Sequence, residues 1–233
     1  MMILASEVLK QQPLLDLHSL YANGFWRSKI SDPLAKNLLS IVRCEKYILD
    51  EDASSPVMDA SWDHGSSSVD PIRAPMEYRA FYRSFLEQNI LFPYTNLFGD
   101  FTRIGMALHK TPKGYDNKWH GHFMDGYHLH ILIHLTPSFR NTQDGGKIEF
   151  GLVLDPKDYS LDQQDYYLKD AKHVFQTGSF LCQNGDFEIL LNTHPMYRHQ
   201  VTTVSSDVDR YTLMIFCGYE DNILSHKSKI RHL

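Results

Sequence analysis

Three residues able to hold a metal ion, His120, His122 and Asp125, fall close together in the stretch Trp119-His120-Gly121-His122-Phe123-Met124-Asp125-Gly126. A metal site needs fixed lone pairs that converge, and two histidines two apart on a strand point to the same face. The spacing alone therefore offers a two-tooth chelate, and a third ligand has to come from elsewhere. His199, in Tyr197-Arg198-His199-Gln200-Val201, is the best placed. A second constellation follows it in Arg210-Tyr211-Thr212-Leu213-Met214-Ile215-Phe216. Arg210 and Thr212 share a face of that run, so a guanidinium and a hydroxyl can grip one carboxylate together. The apolar alternation after Arg210 argues that it is at least partly buried, against the plainer reading of a surface ion pair.

Six of the thirteen histidines lie between His109 and His134, and they need sorting. In residues 128–135 the alternation puts Leu129, Ile131, Ile133 and Leu135 on one face and His128, His130 and His134 on the other. That histidine face is read as solvated or as packing behind the metal ligands, because the cluster at 120–125 already supplies enough donors.

The elements that must position these groups divide at about residue 99. Before it the pattern is helical. Residues 4–22 carry Val8, Leu9, Leu14, Leu15 and Leu17, with Pro13 dividing or starting a helix. Ser31-Asp32-Pro33 is a capped helix start, followed by the stripe Leu34, Leu38, Ile41, Val42. A third helix is expected over 75–89, from Tyr78, Phe81, Tyr82, Phe85 and Leu86. Residues 49–71 turn to Asp, Ser and Pro and read as a surface loop. They and residues 156–172 are candidates to close over a pocket.

After Gly99 the period changes to two. Strands are expected at 101–109, 118–124, 128–136, 147–154, 178–183, 187–192, 198–204 and 210–219, with Asn184-Gly185 as a hairpin turn between the fifth and sixth. About eight short antiparallel strands behind a helical layer predict a β-rich α+β fold, a double-sheet jelly roll or cupin-like barrel with N-terminal helices packed on one sheet. The expectation is a single domain over 1–233: a helical section at 1–98, a core at 99–220, and no internal repeat.

Bulk properties narrow the function. Thirteen tyrosines and thirteen phenylalanines place the chain among globular proteins with a large core. A formal charge of −5 leaves no basic surplus for phosphates, so nucleic acid is not an expected partner. The three cysteines, Cys44, Cys182 and Cys217, are odd in number and far apart, which suits free thiols in a reducing compartment. No window is apolar enough for a membrane span and the start lacks a basic leader region, so a cytoplasmic protein with no membrane partner is expected.

In order and spacing the segment from about 100 to 220 resembles the iron(II)/2-oxoglutarate-dependent dioxygenases, whose core is a double-stranded β-helix. The family pattern is a His-x-Asp at a strand end, an apolar strand, a Gly-Gly turn, a distal His followed by x-Val, and an Arg-x-Ser/Thr about ten residues on. The matching pieces are His120 to Asp125, Leu129 to Leu135, Gly145-Gly146-Lys147, Gly185-Asp186, His199-Gln200-Val201 and Arg210-Tyr211-Thr212. The resemblance implies Fe(II) and 2-oxoglutarate as cofactors, with the distal carboxylate of the keto acid on Arg210 and Thr212. It also implies molecular oxygen as co-substrate and hydroxylation of a small molecule, an amino acid or a biosynthetic intermediate, as the default reaction.

One departure matters: the sequence has no His-x-Asp. Counting back from the Gly-Gly turn, His120 falls on the family histidine and His122 on its aspartate, which gives three histidines with His199. The alternative joins His122 and Asp125 to His199 and requires a bulge near Gly126, since residues three apart on a regular strand face opposite ways. Both stay open, with spacing leaning to the first. Three histidines also suit zinc, or a three-histidine iron dioxygenase that uses no keto acid. A cupin-fold binding protein without turnover is the reading from another class. Oligomeric state is not legible.

Overall fold

Alternating apolar residues after Gly99 are realised as strands, and each of the eight expected runs overlaps one, although the fifth, expected at 178–183, is shifted to Val174–Phe180. The computed structural model of the chain describes residues 15–43, 48–49, 58–61, 103–111, 113–122, 127–137, 140–155, 157, 171–208 and 210–219. In order these form α1 (Leu17–Asn23), β1 (Phe25–Lys29), α2 (Asp32–Val42), β2 (Ile48–Leu49), β3 (Met58–Ser61), β4 (Arg103–Thr111), β5 (Asn117–His120) and β6 (Tyr127–Leu135). There follow β7 (Ile148–Val153), β8 (Val174–Phe180), β9 (Asp186–Leu191), β10 (Tyr197–Val201) and β11 (Arg210–Gly218), with 3-10 turns at Thr142–Asp144 and Ala171–His173.

The strands make two sheets, ordered β1-β9-β6-β11-β4-β3-β2 and β5-β10-β7-β8. Every pairing among the described residues is antiparallel. Strand pleating then sorts the side chains of the large sheet. Leu129, Ile131, Ile133 and Leu135 of β6, Phe187, Ile189 and Leu191 of β9, and Tyr211, Leu213, Ile215 and Cys217 of β11 face one way. They pack with Leu20 of α1 and Leu34, Ala35, Leu38 and Val42 of α2. The opposite face contributes Phe25, Leu132 and Leu190 to a second core shared with Ile148 and Phe150 of the small sheet. Polar groups on that inner face therefore sit between the sheets.

The helices begin and end where short-range chemistry directs. The Asp16 side chain accepts from Ser19 N and caps α1, which stops at Gly24 in the left-handed region (φ 82°). The Ser31 carbonyl accepts from Ala35 N to open α2, as the Ser-Asp-Pro signal predicts.

Three expectations need correction. Residues 25–29 form β1, inside the section read as helical, because their registry with β9 rather than any local alternation holds them extended. Met58–Ser61, within the expected surface loop at 49–71, is β3, paired to β4. Asn184-Gly185 does form a tight turn, with Gly185 at φ 86°, but it closes no hairpin. β8 pairs with β7 in the small sheet and β9 with β1 and β6 in the large one. The turn is anchored to β6 instead, through Gly185 N to the His134 carbonyl and Thr136 N to Asn184 Oδ1.

The expected helix at 75–89, Pro13 and the start of the first helix, Cys44, Asp125, the rest of 49–71 and nearly all of 156–172 lie outside the described residues. No helix among the described residues is long and apolar enough to cross a membrane.

Candidate metal centre

β5 and β10 place two imidazoles directly opposite one another, His120 against His199. Such cross-strand partners stand about 5 Å apart at Cβ, close enough for the rings to meet. Their centroids are 4.1 Å apart. His122 lies just past the end of β5, two residues from His120, with its ring centre 5.2 Å from that of His120 and 5.3 Å from that of His199. Gly121 between them packs tightly on β10, where a Cβ would lie 2.9 Å from the Tyr197 carbonyl oxygen and 3.1 Å from the Arg198 guanidinium. The result is a triad of His120, His122 and His199 whose potential ligand atoms all lie within 4.8 Å of one another.

Their protonation suits a cation. His120 Nδ1 is 2.7 Å from the Lys118 carbonyl and must donate to it, which leaves Nε2 as the lone-pair atom. Burial, with His122 close by, pushes the His120 pKa down to about 3. Burial and the neighbouring rings likewise hold His199 well below the ordinary histidine range. Converging imidazoles are the donor set that borderline transition metals such as iron(II) and zinc prefer, and two of the three are buried and held toward the neutral form, so the residues fit the implied metal. His130 backs the site: its ring is 4.0 Å from His122 and 4.2 Å from Phe216. Packing behind the triad, rather than solvation, is thus the role of that position.

His134, Cys182 and Glu188 meet the same distance criterion. The carboxylate among them is already engaged. Glu188 accepts from His134 Nε2 at 2.6 Å, from Arg27 Nε at 3.2 Å and from Cys182 Sγ at 3.4 Å. This group is an internal hydrogen-bond network, with both described cysteines, Cys182 and Cys217, free.

Along the inner face of β11 the residues run Phe216, Met214, Thr212, Arg210, from the triad toward the other end of the space between the sheets. Arg210 is 2% exposed and donates from Nη1 to the Gly146 carbonyl at 3.1 Å. Thr212 sits beside it, opposite His134 in register. Gly146 is four residues along the chain from Phe150, the register partner of His199, a separation of about 13 Å at the rise of a strand. Arg140, which the sequence reading passed over, reaches the same corner: it is 1% exposed and donates from Nη2 to the Gly145 carbonyl at 2.7 Å. Its signal was weak, because it sits in an irregular stretch with no period to mark it as buried. Of the residues singled out from sequence, His120, His122 and His199 come together, Arg210 and Thr212 come together apart from them, and Asp125 is outside the described residues.

No protein-family profile and no curated protein matches the sequence. The fold, however, is similar to solved structures. A prolyl-4-hydroxylase of Pseudomonas putida superimposes with a TM-score of 0.58 at 14% identity, covering 93% of this chain and 100% of that one. HygX of Streptomyces hygroscopicus, with nickel and 2-oxoglutarate bound, gives 0.57 at 14% identity over 88% of each chain. The epimerase SnoN, in complex with Fe3+, alpha ketoglutarate and nogalamycin RO, gives 0.61 at 10% identity over 92% of this chain and 83% of that one. At such identities the likeness establishes the fold: the chain has the double-stranded β-helix architecture found in 2-oxoglutarate and iron(II) oxygenases.

Proposed function

We propose that the protein is an iron(II)- and 2-oxoglutarate-dependent oxygenase that hydroxylates a small molecule, with His120, His122 and His199 as metal ligands and Arg210 and Thr212 holding the keto acid. The observation that carries this reading is the pairing of two groupings between the sheets: three converging imidazoles, and a buried arginine beside a threonine further along β11. Iron(II) with bound 2-oxoglutarate would supply the oxidising power, coupling decarboxylation of the keto acid to succinate with insertion of one oxygen atom of O2 into a C–H bond. The chain itself does the positioning. The Lys118 carbonyl fixes the His120 tautomer; Phe150, Leu132 and Met214 pack together between the sheets and exclude water. Arg210 and Thr212 orient a diacid by its far carboxylate.

The small-molecule part rests on the net charge of −5, which offers no general attraction to nucleic acid, and on kinship of fold with HygX, whose structure also exists with hygromycin B bound. A screen of oxygen consumption with free amino acids and other small metabolites tests it; stimulation by peptide or nucleic acid alone would refute it. The cofactor part is tested by loading iron without oxygen, adding 2-oxoglutarate and air, and measuring succinate. Arg210→Ala should lose at least 90% of succinate production while still binding one iron, a loss in line with removing a charge-assisted contact of about 1.5–3 kcal/mol.

A second reading is favoured by one feature: all three donors brought together among the described residues are imidazoles, with no carboxylate, as in iron dioxygenases that use no keto acid. In that case turnover proceeds with 2-oxoglutarate omitted, and Arg210 grips the substrate's own carboxylate. Asp125→Ala separates the ligand sets. It should leave metal stoichiometry at one, whereas His120→Ala should abolish it.

A further inference from the structure

Two buried guanidinium groups meet at the far end of the space between the sheets, and no carboxylate among the described residues forms an ion pair with either. Arg140 and Arg210 are 1% and 2% exposed. Arg140 Nε and Nη1 and Arg210 Nε have no hydrogen-bond partner. A buried N–H on a charged group that lacks an acceptor is costly, and here three of them share one corner. His134 Nδ1, on the strand position facing Thr212, is a fourth buried polar atom without a partner.

Among the described residues the nearby carboxylates take their hydrogen bonds from other groups. Asp144 accepts from Asn141 N in a capping box, Asp186 is bonded to Arg27 and to Gln183 N, and Glu188 is taken by His134, Arg27 and Cys182. Burial, and then Arg210 nearby, pushes the Arg140 pKa down to about 10, and the attraction of Asp144 offsets only part of that, so the two cations repel.

The arrangement is built rather than incidental. Consecutive carbonyls of one turn receive the two forks: Gly145 O takes Arg140 Nη2 and Gly146 O takes Arg210 Nη1. A point where a Gly146 Cβ would stand is 3.1 Å from Arg140 Nη2 and 3.2 Å from Arg210 Nη1, so the fork ends converge on the turn. Only glycine leaves that point free, and φ at Gly146 is +62°. The backbone of Arg140 is clamped in turn by the Gln183 amide, which accepts from Arg140 N and donates to Arg140 O, both at 2.9 Å. Two preset forks of N–H donors beside a hydroxyl match one planar oxyanion, with more donors than a single carboxylate oxygen needs.

We infer that Arg140 and Arg210 together form a two-guanidinium anion site that binds the distal carboxylate of the keto acid, with Arg140 a binding and specificity-determining residue in its own right. The inference rests on the keto-acid reading of the pocket. Its consequence is discrimination: a five-carbon 2-oxo acid ending in a carboxylate is retained, and the same chain ending in a methyl group is rejected.

The test is calorimetric titration of the manganese-loaded protein, without oxygen, with 2-oxoglutarate and with 2-oxopentanoate. Wild type should favour 2-oxoglutarate by at least a hundredfold in Kd. Arg140→Gln should lower that ratio about tenfold or more, through the 2-oxoglutarate value alone; a merely structural role would weaken both ligands alike and leave the ratio fixed. If Arg210→Gln collapses the ratio while Arg140→Gln leaves it unchanged, the inference fails and the keto-acid reading stands. If wild type itself fails to discriminate, both fail. Should Arg140→Gln not fold, Arg140→Lys, which keeps the charge but loses the fork, must lower the ratio at least threefold, and an unchanged ratio overturns the assignment.

Discussion

Glu188 is wholly buried and yet charged, because both oxygens of its carboxylate accept hydrogen bonds. Burial pushes its pKa up, but His134, its hydrogen bond and the Arg27 guanidinium outweigh that and hold it below the usual carboxylate value. A depressed folded pKa means that the unfolded chain binds the proton first. The stabilisation is therefore fully present above the unfolded value of about 4.3 and is lost as pH falls through the lower folded value. Glu188→Gln, which leaves buried donors facing an amide, should cost about 3–5 kcal/mol at pH 7. Denaturant titration of both proteins should show a constant gap from pH 8 to about 5 that narrows below about pH 4; a gap independent of pH down to 3 would exclude a charged Glu188. Sequence patterning placed Glu188 on a strand but could not see this role, since its partners Arg27, His134 and Cys182 come from three other stretches. His120, His122 and His199 were legible because ligands cluster or follow a characteristic residue, whereas Arg140 had neither a period nor a neighbour of like chemistry.

The weak element is β5. It is four residues long, lies at the edge of the small sheet, and keeps only two register partners with β10, with an irregularity between His199 and Val201. Such an edge opens at little cost in free energy. All three imidazoles belong to β5, its immediate continuation, and β10, so a bound ion ties the edge strand down from inside one sheet. Hydrogen exchange with and without zinc should slow at amides 117–122 by about tenfold or more while β6 and β11 stay unchanged, since a ligand at 100 times its Kd contributes about 2.7 kcal/mol to the states that bind it. Uniform protection across all strands would count against a local clamp. Gly121→Val, which drives a side chain into Tyr197 and Arg198, should weaken zinc binding more than it lowers global stability. The strands themselves were readable from alternation, but their partners were not. Asn184-Gly185 looked like a hairpin because turn chemistry is local, and β1 went unseen because the registry that makes it a strand is with β9, far along the chain.

At the scale of the molecule, the large sheet buries both faces, helices on one side and the small sheet on the other, and the second interface decides how firmly the candidate centre is held. Phe25 is its key contact. It starts β1 on the edge of the large sheet, stacks on Phe150 at 4.1 Å and meets Phe180 edge-on at 5.5 Å, both in the small sheet. Phe150 in turn pairs in register with His199, so the ring beside this candidate ligand rests on a residue from the other layer. Gly178 makes room for it, since a Cβ there would stand 2.7 Å from the Phe25 ring. Phe25→Ala should destabilise the protein by about 3–5 kcal/mol, and Phe25→Leu by less because it leaves a smaller cavity. Urea titration should show the midpoint falling in that order with an unchanged slope. Because the cavity opens beside Phe150, zinc affinity should fall with stability in both variants. Stability lost at full zinc affinity would mean that the small sheet holds the triad unaided and that packing between the layers is irrelevant to the metal.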